Sequence, residues 1–176
     1  MAASTIRPAT DEDLPTLQSI ERAAGEVFRD LDMALVGDDD PFSIAELRGY
    51  LEGGRAWVVT VDDAVAGYLV ADVVDGAVHI EQVSIDPRYA RRGLGRDLIE
   101  ACAAWARGRG YAALTLTAFV DVPWNGPYYR RLGFRQLDAD EVTSGLRALR
   151  EHEAERGLDR WPRVCLRLEL ERAPAS

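Results

Sequence analysis

Apolar positions along this chain repeat with two periods, and the changes of period mark out its elements. Thr5 to Pro8 reads as a short first strand. Thr10 then caps a helix with Asp13 at its third position, and Leu14, Leu17, Ile20 and Ala24 follow at helical spacing. Residues 25–42 are irregular and acidic, ending in Asp38-Asp39-Asp40-Pro41, which reads as a solvated loop. Ser43-Ile44-Ala45-Glu46 has the spacing of a capping box and opens a second short helix, closed by Gly53-Gly54. Trp57 to Val61, Ala64 to Val74 and Ala77 to Ile85 form three consecutive strands, with turns at Asp62-Asp63 and Asp75-Gly76. A main helix from about Gly95 to Arg107 puts Leu94, Leu98, Cys102 and Trp105 on one stripe. Beyond it come a strand from Ala113 to Phe119, a short helix over Pro127 to Leu132 and a sixth strand from Arg135 to Leu137. Val142, Leu146 and Leu149 mark an added amphipathic helix ending near Gly157, and Val164 to Leu170 makes the seventh strand.

One junction stands out for its chemistry. The alternating strand 77–85 runs into Asp86-Pro87-Arg88-Tyr89-Ala90-Arg91-Arg92-Gly93-Leu94-Gly95-Arg96, and the main helix begins directly afterwards. A helix N-terminus exposes unpaired peptide N–H groups and the positive end of a dipole, so it receives phosphate. Two glycines allow close approach of the backbone, and arginines add positive charge. A Walker loop is excluded, because the chain contains no lysine, and a dinucleotide fingerprint is excluded because Leu98 stands where its third glycine belongs.

What remains resembles motif A of the GNAT superfamily of acyl-CoA-dependent N-acyltransferases, written Gln/Arg-x-x-Gly-x-Gly/Ala. Ala90 at its first position is a departure that Arg91 and Arg92 partly replace. A second block, Tyr129-Arg130-Arg131-Leu132-Gly133-Phe134, resembles the Tyr-x-x-x-Gly-Phe of motif B. The asparagine that motif B carries seven residues before its tyrosine is Val122 here, and Asn125 sits four before it.

The resemblance implies an α/β (α+β) fold: a single GNAT-like domain over residues 4–172, with a short tail at 173–176. Its mixed, mostly antiparallel seven-stranded sheet would be splayed between strands 4 and 5. It also implies acetyl-CoA as acyl donor. The N–H of Val83 would bind the thioester oxygen, and groups of Ser84 and Ile85 would pair with the pantetheine arm. The N–H groups of Arg91, Arg92, Gly93, Leu94, Gly95 and Arg96 would hold the pyrophosphate. Asn125 is read as a helix cap before Pro127, with its amide as a further candidate contact to the cofactor. Trp124 could wall the substrate cleft or pack.

Side chains alternate along a strand, so His79 and Glu81 share a face with Val83 and Ile85. The resemblance puts a catalytic Glu or His at these positions. Glu81 is favoured as the base, since partial desolvation raises a carboxyl pKa; His79 could equally be a half-exposed edge residue. Tyr129 matches the superfamily's general acid, a phenol that stays protonated at neutral pH.

Composition narrows the rest. At 176 residues one domain with a real core is expected. A net charge of −9 argues against nucleic acid, and the sequence offers no membrane span and no apolar leader, so a cytoplasmic location is expected. The two cysteines, Cys102 and Cys165, read as small core residues, and the two histidines are too far apart for a metal site. The resemblance implies a small-molecule or peptide amine as acceptor. Segments 25–42 and 138–162 should border its pocket, where Glu26, Asp30, Asp32, Glu151 and Glu153 suit a cation. A homodimer through the final strand or the added helix is compatible with the pattern. Other classes stay open: a non-catalytic acyl-CoA-binding sensor and, more weakly, a nucleotide-binding enzyme.

Overall fold

The computed structural model describes residues 2–171; the tail expected at 173–176 lies outside the described residues. The strands are β1 (Ser4–Pro8), β2 (Ala56–Val61), β3 (Ala64–Val74), β4 (Ala77–Ile85), β5 (Ala113–Phe119), β6 (Arg135–Gln136) and β7 (Arg163–Glu169). The helices are α1 (Leu14–Gly25), α2 (Ala34–Gly37), α3 (Ile44–Glu52), α4 (Leu94–Gly108), α5 (Gly126–Arg131) and α6 (Ser144–Glu155). The seven strands form one sheet in the order β1-β2-β3-β4-β5-β7-β6. β1 with β2, β2 with β3, β5 with β7 and β6 with β7 run antiparallel. β4 runs parallel to β5 through Val78↔Leu114 and His79↔Thr115.

Packing groups the chain into two compact units. One comprises the chain up to Asp72 together with Glu81–Cys102; the other comprises Val73–Ile80 and everything from Ala103. In the first, the α1 stripe and Leu47 of α3 bury themselves on β2 and β3: Leu14, Leu17, Ile20, Leu47, Val58, Tyr68 and Val70 form one cluster. Each such buried apolar side chain contributes about 1.5–3 kcal/mol. In the second, Leu137, Leu146 and Cys165 pack with Val74, Val142 and Leu149, which fixes α6 to its strands.

The expected caps form. Ser43 N–H donates to the Glu46 carboxylate at 2.7 Å, and Glu46 N–H donates to the Ser43 hydroxyl at 3.1 Å. Ahead of α1, the Asp13 carboxylate accepts from the Thr10 N–H at 2.8 Å and from both arms of the Arg7 guanidinium. A single 3₁₀ turn, Asp11–Asp13, leads into the helix proper.

Residues 25–42 depart from the expected loop. They hold a 3₁₀ turn, Glu26–Leu31, and the one-turn helix α2. Met33 N–H closes on the Phe28 carbonyl, and Asp32 takes the left-handed conformation between the two turns. The turns pack so closely that a Cβ on Gly37 would meet the Gly25 carbonyl at 2.9 Å. Asp38 of the acidic triplet is paired with Arg29, so it is not simply solvated.

A bulge interrupts the β2–β3 register between Val59 and Thr60, opposite Gly67 and Val65. A Cβ on Gly67 would sit 2.8 Å from the Ser84 carbonyl, so glycine lets β3 lie against the end of β4. No helix among the described residues is long and apolar enough to cross a membrane.

Candidate functional site

The junction of β4 and α4 lies within one unit. Asp86 ends the strand: its N–H donates to the Ala66 carbonyl at 2.8 Å, and its buried carboxylate accepts the Arg88 N–H at 2.9 Å. The Arg88 guanidinium folds back onto the same carboxylate, 2.7 Å from Nη2 to Oδ2, and holds it below the usual carboxylate range. This Asx turn is a feature the sequence reading passed over, although Asp before Pro is a turn signal.

One 3₁₀ turn, Pro87–Tyr89, follows, and then two left-handed residues, Arg91 (φ 63°) and Gly93 (φ 77°). The first recorded α4 bond runs from Asp97 N–H to the Gly93 carbonyl, at 3.1 Å. Among the described residues, the N–H groups of Arg91 to Arg96 donate to no backbone carbonyl. Arg91, Arg92 and Arg96 are exposed and carry no carboxylate partner among those residues. The Arg92 guanidinium lies 5.4 Å over the Tyr89 ring, with Arg88 5.8 Å from it. An exposed turn of unpaired donors ringed by uncommitted arginines fits a diphosphate.

Upstream on β4, Glu81, Val83 and Ile85 are half-buried, while Ser84 is buried. Glu81 is close enough to Tyr50 of α3 to act on it electrically. Burial first, then Glu81 and Asp72, push the Tyr50 phenol pKa up. Tyr50 keeps its proton and donates it to Asp72 at 3.2 Å.

His79 belongs to the other unit and corrects the half-exposed reading: it is 3% exposed. The parallel pairing of β4 with β5 covers it, and its Nδ1 lies 2.8 Å from the Thr115 hydroxyl. The buried ring is thereby satisfied as part of the sheet.

Tyr129 sits in α5, buried, with its ring edge-on to Tyr128 (5.3 Å) and Phe134 (5.9 Å). Gly133 (φ 103°) turns the chain after the helix, and Phe134 N–H returns to the Tyr129 carbonyl at 3.1 Å. The Tyr-x-x-x-Gly-Phe spacing is thus a helix stop that sets one aromatic edge-on against another. Burial, and secondarily Tyr128, push the Tyr129 pKa up, so its phenol holds its proton.

Asn125 occupies the cap position of α5, but its side chain caps nothing. Its Oδ1 accepts from the Phe119 N–H at 2.6 Å, tying the start of α5 to the end of β5. A Cβ on Gly126 would come within 2.6 Å of the Phe119 carbonyl, and this close approach draws the amide away from the helix. Trp124 beside it is exposed.

Of the acids expected near an acceptor, Glu26, Asp30, Asp32 and Glu151 are exposed, and Glu26 lines two surface grooves of about 440 and 240 Å³. Glu153 is corrected. Its carboxylate accepts from Thr117, from Arg150 at 2.7 Å and from Arg163 at 2.9 Å. Burial pushes its pKa up, but the two guanidiniums and the Thr117 hydroxyl outweigh that and hold it low. It closes a structural network, not a cation subsite. Neither cysteine is a thiolate: both are buried, and burial pushes the Cys102 thiol up to about 12.

The chain is 31% identical over 78 residues to the ribosomal protein bS18-alanine N-acetyltransferase of Salmonella typhimurium, covering 44% of this chain and 53% of that protein. It thus spans about half the length of that curated relative. The crystal structure of the Escherichia coli ribosomal-protein-S18-alanine N-acetyltransferase superposes with a TM-score of 0.68 at 21% identity, covering 99% of this chain and 98% of that one. That of the PaiA N-acetyltransferase of Thermoplasma acidophilum, in complex with coenzyme A, gives 0.71 at 12% identity, covering 95% and 99%. At these identities the two structures speak to the fold. The sequence profile of the Acetyltransferase (GNAT) family matches residues 17–134, two thirds of the chain, and the protein belongs to that family.

Proposed function

We propose that the protein transfers an acetyl group from acetyl-coenzyme A to a primary amine by direct attack in a ternary complex. The observation that carries this reading is the turn Arg91–Arg96, whose N–H groups meet no backbone carbonyl and whose exposed arginines meet no carboxylate among the described residues. Acetyl-coenzyme A supplies a thioester carbonyl carbon open to attack. The peptide N–H of Val83 donates to the carbonyl oxygen, where negative charge develops, and the backbone through Ser84 and Ile85 pairs with the pantetheine arm as an added strand would. Arg91, Arg92, Gly93, Leu94, Gly95 and Arg96 hold the diphosphate.

Glu81 is the base: its carboxylate takes a proton from the acceptor ammonium, directly or through water, so that neutral nitrogen attacks. As the C–N bond forms and the C–S bond breaks, the Tyr129 hydroxyl gives its proton to the leaving sulfur, and the proton that the attacking nitrogen sheds on becoming an amide returns to the Tyr129 oxygen, directly or through water. The Tyr129 phenol carries its proton across the physiological range, as a proton donor must. His79 and Asn125 are the weaker candidates, since both side chains are engaged within the sheet framework. The Salmonella relative is named for an alanine acceptor on a ribosomal protein, which makes a peptide beginning with alanine the first amine to try.

Thiol release from acetyl-coenzyme A over a panel of amines tests the reading. Turnover is expected with at least one amine, falling about a hundredfold or more in Glu81→Gln while coenzyme A binding persists. Tyr129→Phe should slow turnover at alkaline and neutral pH alike. Binding of coenzyme A without thiol release on any amine would favour an acyl-CoA sensor, and absence of binding would remove both readings.

A further inference from the structure

Five large apolar side chains stand exposed among the described residues, and three of them, Val27, Leu31 and Leu35, fall within nine positions of the first unit. Scattered singly they would need no account; gathered on one short segment they do. The segment is an Ω-loop. Its neck closes where the backbones of Gly25 and Gly37 meet: a Cβ on Gly25 would lie 3.4 Å from the Gly37 carbonyl, and one on Gly37 still closer to the Gly25 carbonyl. Between them the turn Glu26–Leu31 folds onto α2, with the Met33 N–H donating to the Phe28 carbonyl at 3.0 Å. Met33 is the one buried side chain of residues 26–37, so the loop's own packing leaves Val27, Leu31 and Leu35 outside. Val27 and Leu31 stand about 8 Å apart along the 3₁₀ axis, and Leu35 lies in the turn that packs against it. The loop is also held in place. Arg29 crosses the neck to Asp38 at 2.8 Å. Beyond the neck the chain is tied to α1 at Phe42, whose carbonyl accepts from the Gln18 amide at 2.9 Å and whose N–H donates to the Glu21 carboxylate at 3.2 Å. A surface fixed in advance loses little freedom when a partner arrives.

Charge says what that partner must be. Residues 26–40 carry six carboxylates against one guanidinium, that of Arg29, which places a net −5 of the chain's −9 in under a tenth of its length. All six acids are exposed. Glu26, Asp38, Asp39 and Asp40 meet in a groove of about 240 Å³ beside the neck, facing Arg22 and Arg29. No group of three acids among the described residues is placed to hold a metal ion, so the field suits cationic charge spread along a chain. The same field repels nucleic acid, an anionic membrane and a second copy of this negative chain. We propose that the loop 25–37, with the acidic groove at its neck, is a docking surface for a basic polypeptide that carries bulky apolar side chains. Apolar side chains of the partner cover Val27, Leu31 and Leu35, and an arginine or lysine enters the groove. Docking holds whether that polypeptide supplies the acceptor amine or only joins the protein to a partner, so the inference stands apart from the acetyl-transfer reading.

The probe is a fluorescent twelve-residue peptide with four arginines and three leucines and a blocked N-terminus, read by anisotropy against the whole chain. It should bind about tenfold more tightly than a peptide with glutamate for each arginine, or one with serine for each leucine. Added salt should weaken it, since the charges are exposed. Leu31→Ser with Leu35→Ser should weaken binding about tenfold at an unchanged Tm. Asp30→Asn with Asp32→Asn should weaken it about threefold and flatten its salt dependence, and asparagine suits position 32, where φ is 57°. Equal binding by wild type and both variants, or by the arginine and glutamate peptides, overturns the docking surface. A dimer in sedimentation that Leu31→Ser with Leu35→Ser dissolves gives the face to a second copy and overturns it too. Methyl resonances of Val27, Leu31 and Leu35 read the claim in the wild-type protein: they should shift as the peptide is added, and methyls that stay still while it binds overturn the proposal. Coenzyme A titration of the same samples decides the acetyl-transfer reading separately.

Discussion

Arginine does opposite work in two regions of this chain. In the turn before α4, Arg91, Arg92 and Arg96 stand exposed with no carboxylate partner among the described residues. Around α6 and β7, Arg150 and Arg163 are both bound to Glu153, and Arg150 also meets Asp159 at 2.7 Å. The sequence dresses both regions alike, with arginine near acids and apolar residues. The difference is that partnered guanidiniums hold the fold, while unpartnered ones beside open peptide N–H groups are available to an anion. Positive charge marks a binding site here only where it is left unspent.

The sharpest way to break that contrast is Arg163→Met. Its side chain is 8% exposed against a largely covered carboxylate that keeps Arg150 and Thr117, so losing this charged hydrogen bond should cost about 1.5–3 kcal/mol, read as a drop in Tm by calorimetry. Coenzyme A affinity of the folded variant should not move. Next in size is Gly93→Val in the other region. A β-branched residue forced to φ 77° costs about 1–3 kcal/mol, and coenzyme A affinity should weaken about ten- to a hundredfold by titration calorimetry. The double change Arg91→Ala with Arg92→Ala should weaken it about tenfold at low salt and flatten its dependence on ionic strength, with Tm nearly unchanged. Equal destabilisation by this pair and by Arg163→Met would erase the distinction.

Arg7 tests whether pairing, not location, decides the role, since it is bound to Asp13 in the unit that also holds the turn. The Arg7 guanidinium, with the Thr10 N–H, holds the Asp13 carboxyl below its ordinary value. The stability from that pair is complete above the unfolded carboxyl pKa and is lost as pH falls through the folded one. Arg7→Met should therefore shrink the acid-side loss of stability seen by thermal melts, without altering coenzyme A binding. Smallest, Ser43→Ala should cost about 1 kcal/mol by removing the acceptor for the Glu46 N–H, and should leave binding alone.

Much of this architecture was legible in the chain because its signals are local. Strands β3, β4 and β5 fall where alternation and the Asp-Gly turn put them, and Ser43 caps the helix that follows it. The turn before α4 was legible for the same reason, since glycine spacing and a helix start are written in consecutive residues. What escaped depends on distant partners. His79 is buried by a strand 36 positions away, and Glu153 is claimed by Thr117 across the same separation. Asn125 carries the sequence of a cap, but the nearness of Gly126 to Phe119 redirects its amide. Segment 26–37 looked like a loop because its acids hide two helical turns too short to show a period. Nothing in its neighbours along the chain marks Tyr68; only the fold brings the Glu21 carboxylate to its hydroxyl.

The two sealed cysteines bear on how the chemistry can be watched. With Cys102 protonated far beyond neutral pH and Cys165 likewise shielded, the folded protein offers almost no reactive sulfur of its own. A disulfide dye added to a running reaction will therefore colour with released coenzyme rather than with enzyme, and the assay can run continuously without blocking a single side chain.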